Sequence, residues 1–306
     1  MKLADLAYFM NERHRIYERR LAGLPPEEWT SDPIFKTFKF TNLFRELDHG
    51  TRVLRIAMNR AIAEEAPLED VLFCAIFYRM FNWHEILTDV GWVANWEDLE
   101  GVVRSRVYDG KKVFTSCHMT TGRAGEDKHE SYLEVLRPVW DERANLLSLL
   151  QDEPTLQNSF KILQRIDLVG PFVSYEIVSD LRWTPILGWH GVENGTEKSP
   201  PFGGPPDVLT WANPGPGARR GLRRLGRPET IDELVKVYHE LIPLYEPHVK
   251  NHLPQSVYPA SAGLWPPLEL REIEHVCCEE DKRQRVLDGT GRPRERYRQE
   301  NARELL

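Results

Sequence analysis

The sequence predicts a mainly α-helical chain interrupted by one long loop rich in proline and glycine. Three observations carry this. Apolar residues recur at helical spacing through most of the 306 residues, prolines and capping residues punctuate them, and Pro and Gly crowd into 184–230. With 41% hydrophobic residues, among them nine Trp, ten Tyr and twelve Phe, the chain can bury a sizeable core in one large domain or two tightly joined lobes.

Residues 1–22 read as an amphipathic helix, with Leu3, Leu6, Phe9, Ile16 and Leu21 roughly on one side; Leu24-Pro25-Pro26 stops it. Ser31-Asp32-Pro33 marks the next start, since Pro suits a first helical turn. A helix over about 41–65 carries Leu43, Phe44, Leu47, Leu54 and Ile56 and ends at Pro67. Asp70 opens an apolar helix through Met80, and another begins near Trp96, where Asp98 and Glu100 favour a helix start. Asp109-Gly110 signals a turn, Val113 to Thr115 suit a short strand, and Thr120 to Lys128 read as a loop. Helices resume over about 131–151 and 155–166. The stretch 184–230 reads as a loop of a length that is usually functional or disordered. Helices at 231–245 and 268–286 follow, and a charged tail is expected to fray. The expected organisation is an N-terminal helix in 1–29, a helical domain over 30–286 and a disordered tail in 287–306.

A formal net charge of -7 excludes a wholly basic nucleic-acid-binding surface but leaves room for a local basic patch. The cysteines Cys74, Cys117, Cys277 and Cys278 form no C-x-x-C pair. They read as reduced thiols of an intracellular protein, nuclear or cytoplasmic, with Cys74 and Cys117 buried and inert. The longest clean apolar run, Val71 to Tyr78, is too short to span a bilayer, and the charges from Asp5 to Arg20 fit neither a signal nor a transit peptide, so no membrane partner is expected.

Four constellations could carry chemistry. The first is Lys39 to Arg52. On a helix, Asn42, Arg45, Asp48 and Arg52 fall near one stripe, where an acid between two guanidinium groups could hold a phosphate ligand; a surface ion-pair ladder has the same pattern. The second is Leu156 to Asp180, a helix, tight turn and second helix that Leu163, Ile166, Val169 and Val173 would hold together. This is the outline of a helix-hairpin-helix, in which backbone N–H groups bind a DNA phosphate, or else an ordinary helical hairpin. Asp167 replaces a usual hairpin glycine and no lysine closely follows Gly170. Asp180 remains as a catalytic carboxylate or a solvated one.

The third constellation runs from Pro214 to Arg227, with five arginines within nine residues and no acid between Ala212 and Arg227. Its glycines would let backbone N–H groups approach phosphate oxygens, unless it is a flexible basic loop without a fixed role. No Gly-Lys-Ser/Thr follows these glycines, so a P-loop kinase activity is not expected. The fourth is Glu269 to Lys282, where Glu274, Cys278 and Lys282 share helical spacing with His275 and Glu279 beside them. A buried Glu or His here could be a general base; a zinc site is poorly provided for; an ion-paired helix is the plain alternative. His248 and His252 are four apart but lie between Pro247 and Pro254 and read as incidental.

Taken in order, these blocks resemble one family. Lys39-Phe40-Thr41-Asn42 through Arg52, Leu168-Val169-Gly170-Pro171-Phe172 with Asp180, Pro214 through Gly221, and Ile273-Glu274-His275 with Cys278-Glu279 and Asp281-Lys282 are its signatures. The family is the helical domain found with 5-hydroxymethyluracil DNA kinases, which also occurs in the alpha-glutamyl/putrescinyl thymine pyrophosphorylases, or amino acid–DNA transferases. The resemblance covers about residues 30–285. It implies a two-lobed fold like that of helix-hairpin-helix DNA glycosylases, with a base flipped into a cleft between the lobes. It further implies that an amine or amino acid replaces a pyrophosphate on the methyl carbon of a thymine in DNA. Arg45, Arg52, Arg219 and Arg220 would hold the leaving group, Asp180 or Glu274 would act as base, and Asn42 and Asp48 would orient the flipped base. Lys282 would pair with Glu274 or Glu279, and Lys39, Gly170, Gly215, Gly217 and His275 would complete the substrate contacts. No cofactor or metal is implied, and a separate 5-hydroxymethyluracil DNA kinase would supply the activated base. Asp167 and the Cys277-Cys278 pair depart from the family pattern. A monofunctional DNA glycosylase using Asp180 and a non-catalytic reader of modified DNA are the rival readings.

Overall fold

A computed structural model describes residues 1–115, 122–188, 204–246, 268–293 and 296. In chain order its α-helices are α1 (Leu3–Leu21), α2 (Pro33–Thr37), α3 (His49–Ala63), α4 (Leu68–Phe81), α5 (His84–Val90), α6 (Trp96–Tyr108) and α7 (Lys128–Asp141). They continue as α8 (Arg143–Asp152), α9 (Leu156–Leu163), α10 (Pro171–Leu181), α11 (Pro216–Arg224), α12 (Ile231–Leu241) and α13 (Leu270–Leu287). Among the described residues there is no strand, only a single antiparallel bridge between Phe38 and Arg296. The expected strand at Val113–Thr115 does not form; Val113 is instead buried and Phe114 stacks on Phe81.

The chain divides into two compact units. One takes Met1–His49 and the described residues from Val208 onward; the other takes the described residues of Gly50–Asp207. In the first unit α13 is the central element, with α1, α11 and α12 packed against it. The expected boundary after residue 29 does not set α1 apart, because Leu6, Phe9, Met10 and Ile16 are buried within this unit. In the second unit α4 is central, contacted by α7, α8 and α10. Every residue from Asp70 to Phe81 is buried, as expected of a helix apolar on all sides. Its charges are matched locally: Arg143 donates to Asp70 at 2.6 Å, at the start of α4.

Capping follows the sequence where the cap is local. Asp32 accepts from the Ile34 and Phe35 N–H groups at α2, and Asn95 from the Asp98 N–H at α6. Several boundaries differ from expectation. The helix expected over 41–65 begins only at His49, because residues 39–44 have no regular structure and Arg45–Leu47 form a 3-10 turn. The helix expected over 131–151 is two, broken at Glu142. Helix α5 was not foreseen. The 184–230 stretch is not one loop: it holds a 3-10 turn at Pro185–Leu187 and the whole of α11, with Pro216 in its first turn. Residues 189–203 lie outside the described residues, as do Cys117, His248, His252 and most of the tail beyond 293. No helix among the described residues is long and apolar enough to cross a membrane.

Candidate active site

In the first unit, three of the four constellations meet around α13. The segment leading into α3 is not helical, so Asn42, Arg45 and Asp48 do not form a helical stripe. Asp48 organises them instead. Its Oδ1 accepts from the Asn42 backbone N–H at 2.9 Å and from Asn42 Nδ2 at 2.8 Å, while Oδ2 lies 2.7 Å from Arg45 Nε. These side chain–backbone bonds compete with helix formation and fold 42–48 into a turn. The neighbouring Glu46 is buried and ion-paired with Arg271 of α13.

Helix α13 presents Glu279 to this turn: the Thr41 N–H donates to Glu279 Oε2 at 3.4 Å, and Lys282 pairs with Glu279 Oε1. The Lys282 ammonium is near enough to Arg45 to feel its charge. Burial works against that ammonium, but the Glu279 carboxylate outweighs it and holds the Lys282 pKa above the ordinary lysine range. The result is a charge cluster, Asp48–Arg45 and Lys282–Glu279, in which each of two cations that feel one another's charge is paired with its own carboxylate.

One turn earlier on α13, Glu274 Oε1 accepts from the Gly215 N–H at 3.1 Å, at the N-terminal cap of α11, and Oε2 lies 3.6 Å from His275 Nε2. The amide expected to meet a phosphate thus meets a carboxylate of the protein. The other glycines of this block have a packing role: a Cβ at Gly217 would run into the Cys278 sulfur, and one at Gly221 into the Cys277 carbonyl. The adjacent cysteines are the small residues against which α11 packs. Burial pushes the Cys278 thiol up to about 12, which disfavours its thiolate.

The arginine-rich block is a helix, and most of its charge is spent within the protein. Arg220 and Arg224 both bind the fully buried Asp281 at 2.9 Å, Arg223 pairs with Glu229, and Arg227 with Glu240. Arg220 is therefore an anchor of α11 on α13. Arg219 is exposed, bonds the Pro214 carbonyl at 3.0 Å, and has no carboxylate partner among the described residues. Lys39 is half-buried at the start of the same segment.

The remaining predicted residues lie in the second unit. Asp180, on α10, is 2% exposed and held by a bidentate guanidinium: Arg79 Nε and NH2 donate to its two oxygens at 2.5 and 2.7 Å. Arg79 also pairs with Glu176 at 3.0 Å and donates to Thr51 at 3.0 Å, and Arg55 donates to the Asp180 carbonyl at 3.4 Å. The expected catalytic carboxylate thus sits in a buried network joining α3, α4 and α10. Helices α9 and α10 pack together over buried Leu163, Val169 and Val173, with Leu168 in the left-handed region at φ 60. Gly170 caps α10, and Gly170, Pro171 and Phe172 are exposed. Asp167 is neutralised by Arg123 at 2.9 Å. Arg52 is half-buried and has no hydrogen-bond or ion-pair partner among the described residues.

A family model described as the helical domain of 5-hmdU DNA kinase matches residues 2–196. The chain belongs to the 5-hmdU DNA kinase helical-domain family. A curated relative, the 5-hmdU DNA kinase of Bacillus phage SP10, is 25% identical over 298 residues, covering 90% of this chain and 44% of the relative. The chain therefore spans less than half the length of that kinase. No solved structure matches.

The family match contains the 39–52 segment and the α9–α10 hairpin, while the alignment with the phage kinase extends past residue 196. Two members of these networks escaped the sequence reading. Arg79 is a lone cation within the apolar run of α4, a signal of a buried ion pair that could have been followed. Arg13, on α1, is 3% exposed and donates to Phe40 O and Asn42 Oδ1; nothing in its local sequence marks it. Among the described residues, no group of three or more His, Cys, Asp or Glu is arranged to hold a metal ion.

Proposed function

We propose that this chain acts on a modified thymine in DNA, replacing the pyrophosphate of an activated 5-hydroxymethyluracil with an amine or amino acid. Membership of the 5-hmdU DNA kinase helical-domain family supports the class of base. The observation that carries the finer reading is the cluster of Asp48–Arg45 and Lys282–Glu279.

The displacement forms a C–N bond at the methylene and breaks its C–O bond. The electron pair of that bond leaves on the pyrophosphate, and a proton must leave the amine. Negative charge grows on the departing oxygen, so fixed cations there lower the barrier. Two cations held together repel unless anions flank them. Asp48 and Glu279 flank them in the resting protein, and the leaving pyrophosphate takes their part during reaction. Arg219 and Arg52 add cations in their respective units. Glu274, oriented by the Gly215 N–H and next to His275, accepts the amine proton. Asp180 is not assigned this role, because both its oxygens are bound to Arg79.

The α9–α10 hairpin serves as the DNA-backbone contact of a glycosylase-like fold, through the N–H groups of the first turn of α10. Arg123, which pairs with both Asp167 and Glu134, offsets part of the repulsion that Asp167 would otherwise exert there. A separate 5-hydroxymethyluracil DNA kinase would install the group that is displaced.

The test is mass spectrometry of nucleosides from DNA carrying pyrophosphorylated 5-hydroxymethyluracil, incubated with the protein, amino acids and polyamines. An amine-bearing thymidine is expected, reduced about 100-fold or more in Arg45→Ala. Free base with abasic sites would replace this reading with a glycosylase. Tight binding without product would make the chain a reader, and a phosphorylated nucleoside formed from ATP would make it the kinase.

A further inference from the structure

The segment that carries Asn42 and Arg45 has no regular structure of its own, yet its side chains are closely ordered. The order originates outside it. Arg13 is buried in the middle of α1 and reaches the segment with two nitrogens: Nε donates to the Phe40 carbonyl at 3.3 Å and NH2 to Asn42 Oδ1 at 2.6 Å. The third nitrogen, NH1, is buried with no partner among the described residues. Asn42 passes the constraint on, since its Nδ2 and its backbone N–H both donate to Asp48 Oδ1, and Asp48 Oδ2 forms an ion pair with Arg45 Nε at 2.7 Å.

We infer that Arg13 is a positioning residue for Arg45, acting through Asn42 and Asp48. The physical reason lies in the asparagine amide. Its oxygen only accepts and its nitrogen only donates, so a buried amide can sit in two flipped orientations. Arg13 offers only donors on one side, and the Asp48 carboxylate only acceptors on the other. A single orientation satisfies both. Without Arg13 the Asn42 oxygen is a buried acceptor lacking its donor, and nothing opposes a flip that would turn this oxygen against Asp48. Asp48 would then lose one of the two donors that fix its carboxylate, and its ion pair with the Arg45 guanidinium would be held less firmly. Asn42 is accordingly an internal link, with both ends of its amide occupied, rather than a reader of the flipped base. The consequence for activity rests on the reading of Arg45 as a leaving-group residue.

The test compares Arg13→Met, which keeps the apolar stem without donors, with Arg13→Lys, which keeps charge and a donor, in the full chain. Hydrogen exchange of the peptide spanning 40–48 reports the ordering, and affinity for inorganic pyrophosphate reports its effect on Arg45. In Arg13→Met, exchange over 40–48 should quicken about tenfold and pyrophosphate affinity should fall about tenfold, the scale of losing a charged hydrogen bond. Arg13→Lys should recover part of both, whereas a packing role would make Met at least as good as Lys. Exchange over 40–48 equal to wild type in a folded Arg13→Met, or Met matching Lys in both readings, would overturn the inference. Should Arg13→Met fail to fold, Asn42→Ser interrupts the same chain of bonds with less loss of packing and is read in the same way. Should the wild type itself bind no pyrophosphate, the leaving-group reading fails, while the exchange data alone decide the role of Arg13.

Discussion

Asp180 shows how a carboxylate with the right position in a motif can be committed elsewhere. Its two oxygens are the bidentate partners of Arg79, and Glu176 shares that guanidinium. Removing the cation leaves two buried carboxylates facing each other. Arg79→Met is therefore expected to destabilise the protein by about 3–5 kcal/mol in urea denaturation. Asp180→Asn keeps the Arg79–Glu176 pair and should destabilise less. Under the proposed transfer reading, the activity of Asp180→Asn, assayed well below the melting point, should stay near wild type; a loss there with the fold intact would return Asp180 to the chemistry. A second buried carboxylate makes a pH prediction. Glu272, in the first turn of α13, accepts from the Glu269 N–H at 2.9 Å, and burial, despite the nearby Arg271 and with Glu46 and Glu269 adding repulsion, pushes it up to about 8. A carboxyl that holds its proton more tightly in the folded state favours folding while protonated. That contribution is complete below the ordinary carboxylate pKa, near 4.5, and is lost as pH rises through about 8. Glu272→Gln preserves the acceptor and removes the titration. Its Tm should fall less than that of the wild type between pH 6 and about pH 8.5, and parallel curves would show that Glu272 is not the group responsible.

Helices were legible wherever the sequence itself supplied the period and the cap. Helix α4 announced itself by continuous apolar residues, α6 by the acids Asp98 and Glu100 after Trp96, and α13 by the run after Pro266-Pro267. The 42–48 turn was not legible, because its conformation depends on Asp48 bonding back to Asn42 and on Arg13, 29 residues away from Asn42. Helix α11 was hidden for a related reason. Pro214-Gly215-Pro216-Gly217 has the composition of a loop, yet Pro216 suits a first helical turn and the glycines let α11 lie against α13. Of the residues the sequence singled out, Glu274, Glu279 and Lys282 belong to α13, and Asp48 pairs with Arg45, whose charge Lys282 feels. What the sequence could not convey was which arginines are already bound. The α11–α13 contact makes its own prediction. At Gly221 a methyl group meets the backbone of Cys277, which cannot swing aside, whereas at Gly217 it meets the end of the Cys278 side chain. Gly221→Ala should destabilise by about 1–3 kcal/mol, as overpacking does, and Gly217→Ala by less. Equal effects of the two in denaturant titrations would show that the helices yield as bodies.

The two compact units differ in how the chain builds them. The first is assembled from separated stretches, Met1–His49 and the residues from Val208 onward, whereas the described part of the second is drawn from one continuous stretch, Gly50–Asp207. The continuous stretch contains a core of its own: Leu54, Phe73, Phe77, Leu133, Ile177 and Leu181 are buried within it. Its buried charges also find partners inside it, Arg79 with Asp180 and Glu176, and Asp70 with Arg143. Even its last residue is tied back locally, since Asp207 accepts from the Leu156 and Gln157 N–H groups at the start of α9. A stretch that closes its own core and its own ion pairs meets the requirements of an independent folding unit. The isolated fragment 50–207 is therefore expected to be helical and to melt in a single cooperative transition, measured by circular dichroism. The fragment 1–49 should not, because α1 buries its apolar face against α12 and α13, which lie more than 200 residues further along the chain. A broad, non-cooperative melt of 50–207 would mean that its core depends on the rest of the chain. A sharp one would allow Arg79→Met and Asp180→Asn to be measured in the fragment, apart from the Arg45–Lys282 site.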